Sequence, residues 1–161
     1  MTLRIIASGG TFDKHYDELA GQLGFGDSHL PAVLRRSRIT LPHVLEVLPL
    51  LDSLEMQDAD RQRLQDSCRQ ATESAIVIIH GTDTMRDSAA VLGAAALGKT
   101  VILTGAMIPY EIANSDALFN LGFALAAAQM LPAGVYIAMN GKVFDWDKVQ
   151  KNRSAGVFEA C

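Results

Sequence analysis

Four short apolar runs, each followed two residues later by a glycine, restrict this chain more than any other feature. They span residues 3–7, 76–79, 101–103 and 135–139. Three are rich in Ile and Val without alternation, the mark of a strand covered on both faces. Helical stretches are predicted between them. Apolar positions recur at helical spacing over 45–51 and 58–72, and the segments 87–97 and 116–130 are rich in Ala and Leu. Strands alternating with helices predict an α/β fold, a doubly wound and mostly parallel sheet flanked by helices. With 161 residues, the chain is expected to be one domain, 1–161, with a core that needs no disulfide or metal staple. Residues 12–42 differ. They hold Gly21, Gly24, Gly26, Pro31 and Pro42 with weak periodicity, and a long mobile lid loop with a short helix or hairpin is predicted there.

Ligands of open α/β sheets bind beyond the carboxyl ends of the strands. Four polar clusters fall just there: Ser8-Gly9-Gly10-Thr11, His80-Gly81-Thr82-Asp83-Thr84, Thr104-Gly105-Ala106-Met107 and Asn140-Gly141-Lys142. Gly9 and Gly10 allow a sharp turn and a close approach to a ligand, leaving the Thr11 hydroxyl at the mouth of the site. A threonine hydroxyl attacks only with a base or polarising group beside it. Asp83 can accept from a substrate ammonium group, and Thr82 can exchange a proton. Taken singly, Thr11 also fits a plain turn and helix cap, and Asp83 or Thr84 also fits a cap of the following helix. His80 has no second ligand at metal spacing and reads as a buried, hydrogen-bonded imidazole.

The net charge of −4 disfavours nucleic acid as a partner, since a basic face is needed to displace counterions from phosphates. The basic groups at Arg35, Arg36 and Arg38, and at Lys142, Lys148, Lys151 and Arg153, read as solvated faces. Cys68 and Cys161 stand in no redox or metal spacing and read as free thiols of a reducing compartment. With no signal-like start and no membrane-length apolar run, a soluble cytoplasmic protein is expected, without membrane partners.

Gly9-Gly10-Thr11, His80-Gly81-Thr82-Asp83-Thr84-Met85 and Val101-Ile102-Leu103-Thr104-Gly105-Ala106-Met107 resemble the signature blocks of the bacterial-type L-asparaginases. Ser115-Asp116-Ala117-Leu118-Phe119-Asn120-Leu121 resembles the helix after the third block. Lys151-Asn152-Arg153-Ser154 resembles the catalytic-lysine block, and Leu51-Asp52-Ser53-Leu54-Glu55-Met56 the substrate-binding serine segment. The blocks run in family order over nearly the whole chain.

The resemblance implies a small-molecule amidohydrolase that converts L-asparagine to aspartate and ammonia, with no cofactor and no metal. It implies catalytic roles for Thr11 as nucleophile, Tyr16 on the lid, and Thr82, Asp83 and Lys151 as a second triad. It implies substrate contacts from Gly10, Ser53, Thr82, Asp83 and Ala106. Full-length members carry a second domain that completes a neighbour's site, so a short form like this one is expected to complete its site with Glu111, Asn114 or a partner subunit. The apolar helix 119–130 is the expected face of a homo-oligomer, a dimer or larger. Asp13 and Lys14 place charges beside the nucleophile that the family's usual motif lacks. Two other readings stay open: a non-catalytic amino-acid-binding module of the same fold, and an amidohydrolase for glutamine, D-asparagine or another small amide. An amidotransferase subunit is disfavoured, because no basic or partner-binding extension is present.

Overall fold

The computed structural model describes all residues, Met1–Cys161. The first strand, β1 (Leu3–Gly9), is the second from one edge of a six-stranded sheet. A 3-10 turn at Thr11–Asp13 leads into a small hairpin, β2 (His15–Asp17) and β3 (Gln22–Gly24), and then helix α1 (Leu30–Arg36). The chain continues through β4 (His43–Leu51), α2 (Asp58–Gln70), β5 (Ala75–Ile79), α3 (Met85–Ala94), β6 (Thr100–Thr104), α4 (Ala117–Met130) and β7 (Gly134–Met139). It closes with β8 (Lys142–Asp145) and a second hairpin, β9 (Val149–Asn152) and β10 (Val157–Ala160).

The sheet order is β4-β1-β5-β6-β7-β8, parallel throughout except for the antiparallel edge strand β8. The four strands read from the sequence therefore all form, and the doubly wound architecture holds. Its two faces are built by simple alternation. Leu3, Ile5 and Ala7 point into a core shared with α1 and α4, as do Val77 and Ile79. Ile6, Ile76 and Ile78 point into a second core shared with α2 and α3. Being buried on both faces, β5 and β6 carry no exposed position at all, which is why their sequences lack polar alternation.

One predicted helix is a strand. Residues 45–51 belong to β4, which pairs parallel with β1 from Leu3↔His43 to Gly9↔Leu51. The apolar spacing there suits either period, and Pro49 decides between them. A proline inside a helix removes a hydrogen bond and clashes with the preceding turn, whereas an edge strand tolerates it at a bulge. The register of β4 against β1 shifts between Ala7 and Gly9, which places Pro49 inside that irregularity.

The segment 12–42 is only partly a loop. Phe12, Asp13, Leu30, Val33 and Leu34 are buried, so its two ends are anchored in the core. The exposed portion shrinks to the β2–β3 hairpin and its flanks. The segment, predicted to contain a short helix or a hairpin, holds one of each, α1 and β2–β3.

The chain leaves β1 for β4 on one side, then crosses back over β1 to β5 on the other. The strand order therefore reverses between β1 and β5. In sheets of this kind the crevice beyond the strand ends lies at that reversal. The loops that follow β1 and β5 carry Thr11 and Thr82. No helix is long and apolar enough to cross a membrane.

Candidate functional site

Three strand ends converge on two glycines. Gly10 has a φ of 79°, a left-handed value, and a Cβ there would fall 2.3 Å from the Gly81 nitrogen. A Cβ on Gly81 would in turn lie 2.6 Å from the Ser53 side chain. No larger residue fits either position without moving backbone. The Gly10 N–H donates to Leu51 O (2.9 Å), and Ser8 Oγ donates to Ile79 O (2.7 Å). The exits of β1, β4 and β5 are thus locked together, and the segments at Thr11, Ser53 and Thr82 flank one crevice.

Lys151 reaches this crevice from β9, a strand held by β10 with Lys151 opposite Phe158. Its Nζ donates to Thr82 Oγ1 and to Asp83 Oδ1, each at 2.8 Å. The lysine side chain is largely shielded, at 12% exposed against 31% for Asp83, and Thr82 is buried. A charge-assisted contact of this length in a shielded setting is worth far more than a surface pair. Lys148 pairs only with Asp145 on the surface, and Lys142 lies exposed on β8, so neither competes for this position. Thr82 Oγ1 also lies 3.7 Å from Met107 Sδ.

Ser53 is buried. Its Oγ accepts from Thr84 N (3.2 Å), and its carbonyl accepts from Thr84 Oγ1 (2.7 Å). It caps no helix: Gln57 and Asp60 form the capping box of α2, and Asp52 caps the short turn at Ser53–Glu55. Thr84 occupies the N-cap position of α3 but spends its hydroxyl on Ser53, and no side chain caps that helix. The positive end of α3 therefore stays open beside Thr82 and Asp83.

Thr11 directly follows Gly10 and is half-buried, and its hydroxyl makes no hydrogen bond to the protein. Tyr16, on the exposed hairpin, is 58% exposed and makes no hydrogen bond to Thr11. Its backbone N–H donates to Glu111 Oε1. Ala106 packs its methyl group into the core, so only its backbone can face a ligand; Met107 supplies the side chain at that edge. The charges at Asp13 and Lys14 are compensated. Asp13 is fully buried and accepts from Ser28 Oγ (2.6 Å) and His29 N (2.7 Å). Lys14 pairs with Asp52 (2.6 Å), and that pairing holds the Asp52 carboxyl below its usual range.

Other contributors were not legible in the sequence. Asp116 accepts from the backbone N–H groups of Met107 and Ile108 (both 2.9 Å). Asn120 donates to Gly105 O (2.9 Å) and to Asp116 (3.0 Å). Together they fasten the loop after β6 from helix α4. Sequence spacing marks them only as a helix start. His15, His29 and Glu111 also gather beside the hairpin, from segments too far apart for any spacing to reveal.

His80 is fully buried. Nδ1 lies 2.7 Å from Gly81 O, so it carries the proton, and Nε2 accepts from Ser88 Oγ (2.7 Å). Burial pushes its pKa down from 6.5 to about 4. It is a neutral strut that ties the β5 exit to α3.

The family model of the asparaginase N-terminal domain matches residues 2–159. The chain is 31% identical to an L-asparaginase from Thermococcus kodakarensis over 163 residues, covering 98% of this chain and 49% of that protein. It is 36% identical over 144 residues to the human 60 kDa lysophospholipase, covering 85% of this chain and 25% of that protein. The structure of L-asparaginase I from Vibrio cholerae superposes with a TM-score of 0.87 at 26% identity, over 99% of this chain and 51% of that one. The chain thus spans about half the length of its solved relatives.

One prediction follows from His80. Between its unfolded value of 6.5 and its folded value of about 4, unfolding takes up a proton. Stability is therefore unaffected above pH 6.5, falls as pH drops toward about 4, and loses about 3 kcal/mol in all. Urea titrations across this range should show a shallower decline for His80→Asn than for the wild type. Parallel declines would contradict the assignment.

Proposed function

Since the chain belongs to the asparaginase family, through the family's N-terminal domain, we propose that it hydrolyses the side-chain amide of L-asparagine to aspartate and ammonia. The observation that carries this reading is the Lys151–Thr82–Asp83 cluster at the strand-order reversal, facing the Thr11 loop. The chain's relatives support an amidohydrolase in general. The substrate and the roles below are our assignment.

Thr11 is the nucleophile. Its unengaged hydroxyl attacks the amide carbonyl and its proton passes to the leaving nitrogen; ammonia departs, and a water then cleaves the Thr11 ester, releasing aspartate and restoring the hydroxyl. Thr82 exchanges protons through Lys151, which acts as base whenever its amine is neutral and returns the proton afterwards. The Thr82 backbone N–H makes no backbone hydrogen bond and is free to stabilise the oxyanion. Asp83 receives the substrate ammonium through the carboxylate oxygen that Lys151 leaves free. Ser53 spends only its lone pair on Thr84, so its O–H can donate to the substrate carboxylate. The open N-terminus of α3 favours the same charge. Gly10 admits the ligand by having no side chain, and the backbone of Ala106 borders it. Tyr16 acts only if the hairpin folds over the crevice, bringing its ring to Thr11. No metal or cofactor enters this chemistry.

Glutamine, D-asparagine and other small amides are the alternative substrates within the same chemistry, and relatives in this family carry different names: a lysophospholipase and a glutamyl-tRNA(Gln) amidotransferase subunit. A binding module without turnover is the alternative outside it.

Helix α4 presents Leu118, Phe119 and Met130 to solvent, with Phe119 stacked on Phe123 (6.2 Å between centroids, 4° between planes). Its opposite face, including Leu121, Ala124 and Ala128, is in the core. We assign the outer face to contact with a second copy. The protein should act in the cytoplasm on a small solute, without nucleic acid or membrane.

Ammonia release should be detected for L-asparagine above glutamine and D-asparagine. Lys151→Met should lower kcat by about 100-fold or more, and Thr11→Ala should abolish turnover. A folded wild type that is stabilised by aspartate but releases no ammonia from any of these amides would instead mark a binding module. In size-exclusion chromatography with light scattering, the wild type should run as a dimer or larger and Phe119→Glu as a smaller species. A wild-type monomer would remove the oligomer assignment.

A further inference from the structure

Three side chains that the proposed chemistry leaves unused meet where the β2–β3 hairpin touches the loop after β6. They are His15 on β2, His29 at the start of α1, and Glu111. Their ligating atoms all lie within 4.8 Å of one another. We propose that His15, His29 and Glu111 bind a divalent transition-metal ion of the zinc class, which clamps the hairpin to the body of the fold.

The donor set is the first reason. Two imidazoles and one carboxylate suit zinc and its neighbours, and leave a coordination position for water. Proton placement is the second. His15 Nε2 lies 2.7 Å from Asp27 O. A carbonyl only accepts, so Nε2 bears a proton, and in the neutral ring Nδ1 keeps its lone pair. That lone pair sits 3.5 Å from Glu111 Oε2. Two acceptors at that distance repel, and a cation between them turns the repulsion into attraction. The Nε2–H···O=C contact is also the outer-shell bond that orients metal-ligating histidines.

Distance is the third reason. Glu111 Oε2 is 3.5 Å from His15 and 3.8 Å from His29 Nε2. Tetrahedral ligands at 2.0–2.1 Å from zinc stand roughly 3.3 Å apart, so these two edges are near closure. His29 is held in place by buried Asp13, which accepts from its backbone N–H. His15 sits on the exposed hairpin and is the partner that adjusts. The two rings stack at 3.9 Å between centroids, 28° apart in plane, so binding turns His15 out of the stack. His29 Nε2 exchanges a long 3.4 Å contact with Lys14 O for the ion, which requires its proton to move to Nδ1.

Glu111 also accepts from Tyr16 N through its other oxygen. One ion would therefore tie three segments together and hold the Tyr16 hairpin to the loop at Glu111. This clamp departs from the absence of metal expected from the sequence, which considered only His80. It uses none of the side chains given roles in the proposed hydrolysis, though it holds the hairpin that carries Tyr16.

The test is calorimetric titration of chelator-treated protein with zinc chloride. It is joined by hydrogen-exchange measurement over residues 15–24 with and without zinc. The wild type should bind one ion per chain, and zinc should slow exchange in the hairpin. His15→Ala and Glu111→Gln, both partly exposed sites, should each weaken binding by at least about tenfold and abolish the protection. Absence of saturable binding would overturn the proposal and leave a histidine–glutamate ion pair. Binding that survives both substitutions, or that vanishes in Cys161→Ser with its exposed thiol removed, would overturn it as well.

Discussion

Backbone laid against backbone at Gly10 and Gly81 is the constraint on which the site depends. Thr11, Ser53 and the Thr82–Asp83 pair are carried by loops leaving three different strands, and those loops can meet only if nothing stands between them. A single methyl at either glycine would collide with main-chain or Ser53 atoms at well under van der Waals distance. The sheet order supplies the same requirement from below, because the order in which strands are added reverses between β1 and β5. Topology selects the place and the glycines allow the approach. Thr11 and Thr82 each follow directly on one of these two glycines.

Several charges around this contact are held by specific partners. Lys151 is shared by Thr82 and Asp83, Lys14 is held by Asp52, and Asp13 is satisfied by Ser28 and His29. His80 avoids the problem by staying neutral. Away from the crevice, Arg4 on β1 bridges Glu46 and Glu73 at 2.8 Å each, tying the edge strand β4 to the strand entry of β5. These pairs fix loop positions in which a small polar ligand would find donors and acceptors already oriented, which is where preorganisation lowers the cost of binding.

Much of this was readable from the residues alone, for physical reasons. Strands buried on both faces have no option but continuous Ile and Val, so β1, β5, β6 and β7 announced themselves, and the α/β architecture followed. The β4 strand was misread because its apolar spacing suits two periods, although Pro49 already argued against a helix. The lysine on β9 could be singled out only by family resemblance, since Lys142 and Lys148 are equally polar in sequence and differ only in where the chain puts them. The side chain of Ala106 turned inward because the loop is tied down by Asp116 and Asn120, a tertiary arrangement that local pattern cannot carry. The cluster of His15, His29 and Glu111 spans nearly a hundred residues of chain and exists only in the folded molecule.

The central claim is that the crevice between the Thr11 loop and the Thr82–Asp83 loop is where an amino-acid amide is held. The most direct measurement is a crystal structure with L-aspartate, the product of the proposed reaction. The account predicts its ammonium group on Asp83, its α-carboxylate at Ser53 beside the start of α3, and its side-chain carboxyl between Thr11 and Thr82. Aspartate bound elsewhere, or an empty crevice at saturating ligand, would contradict it.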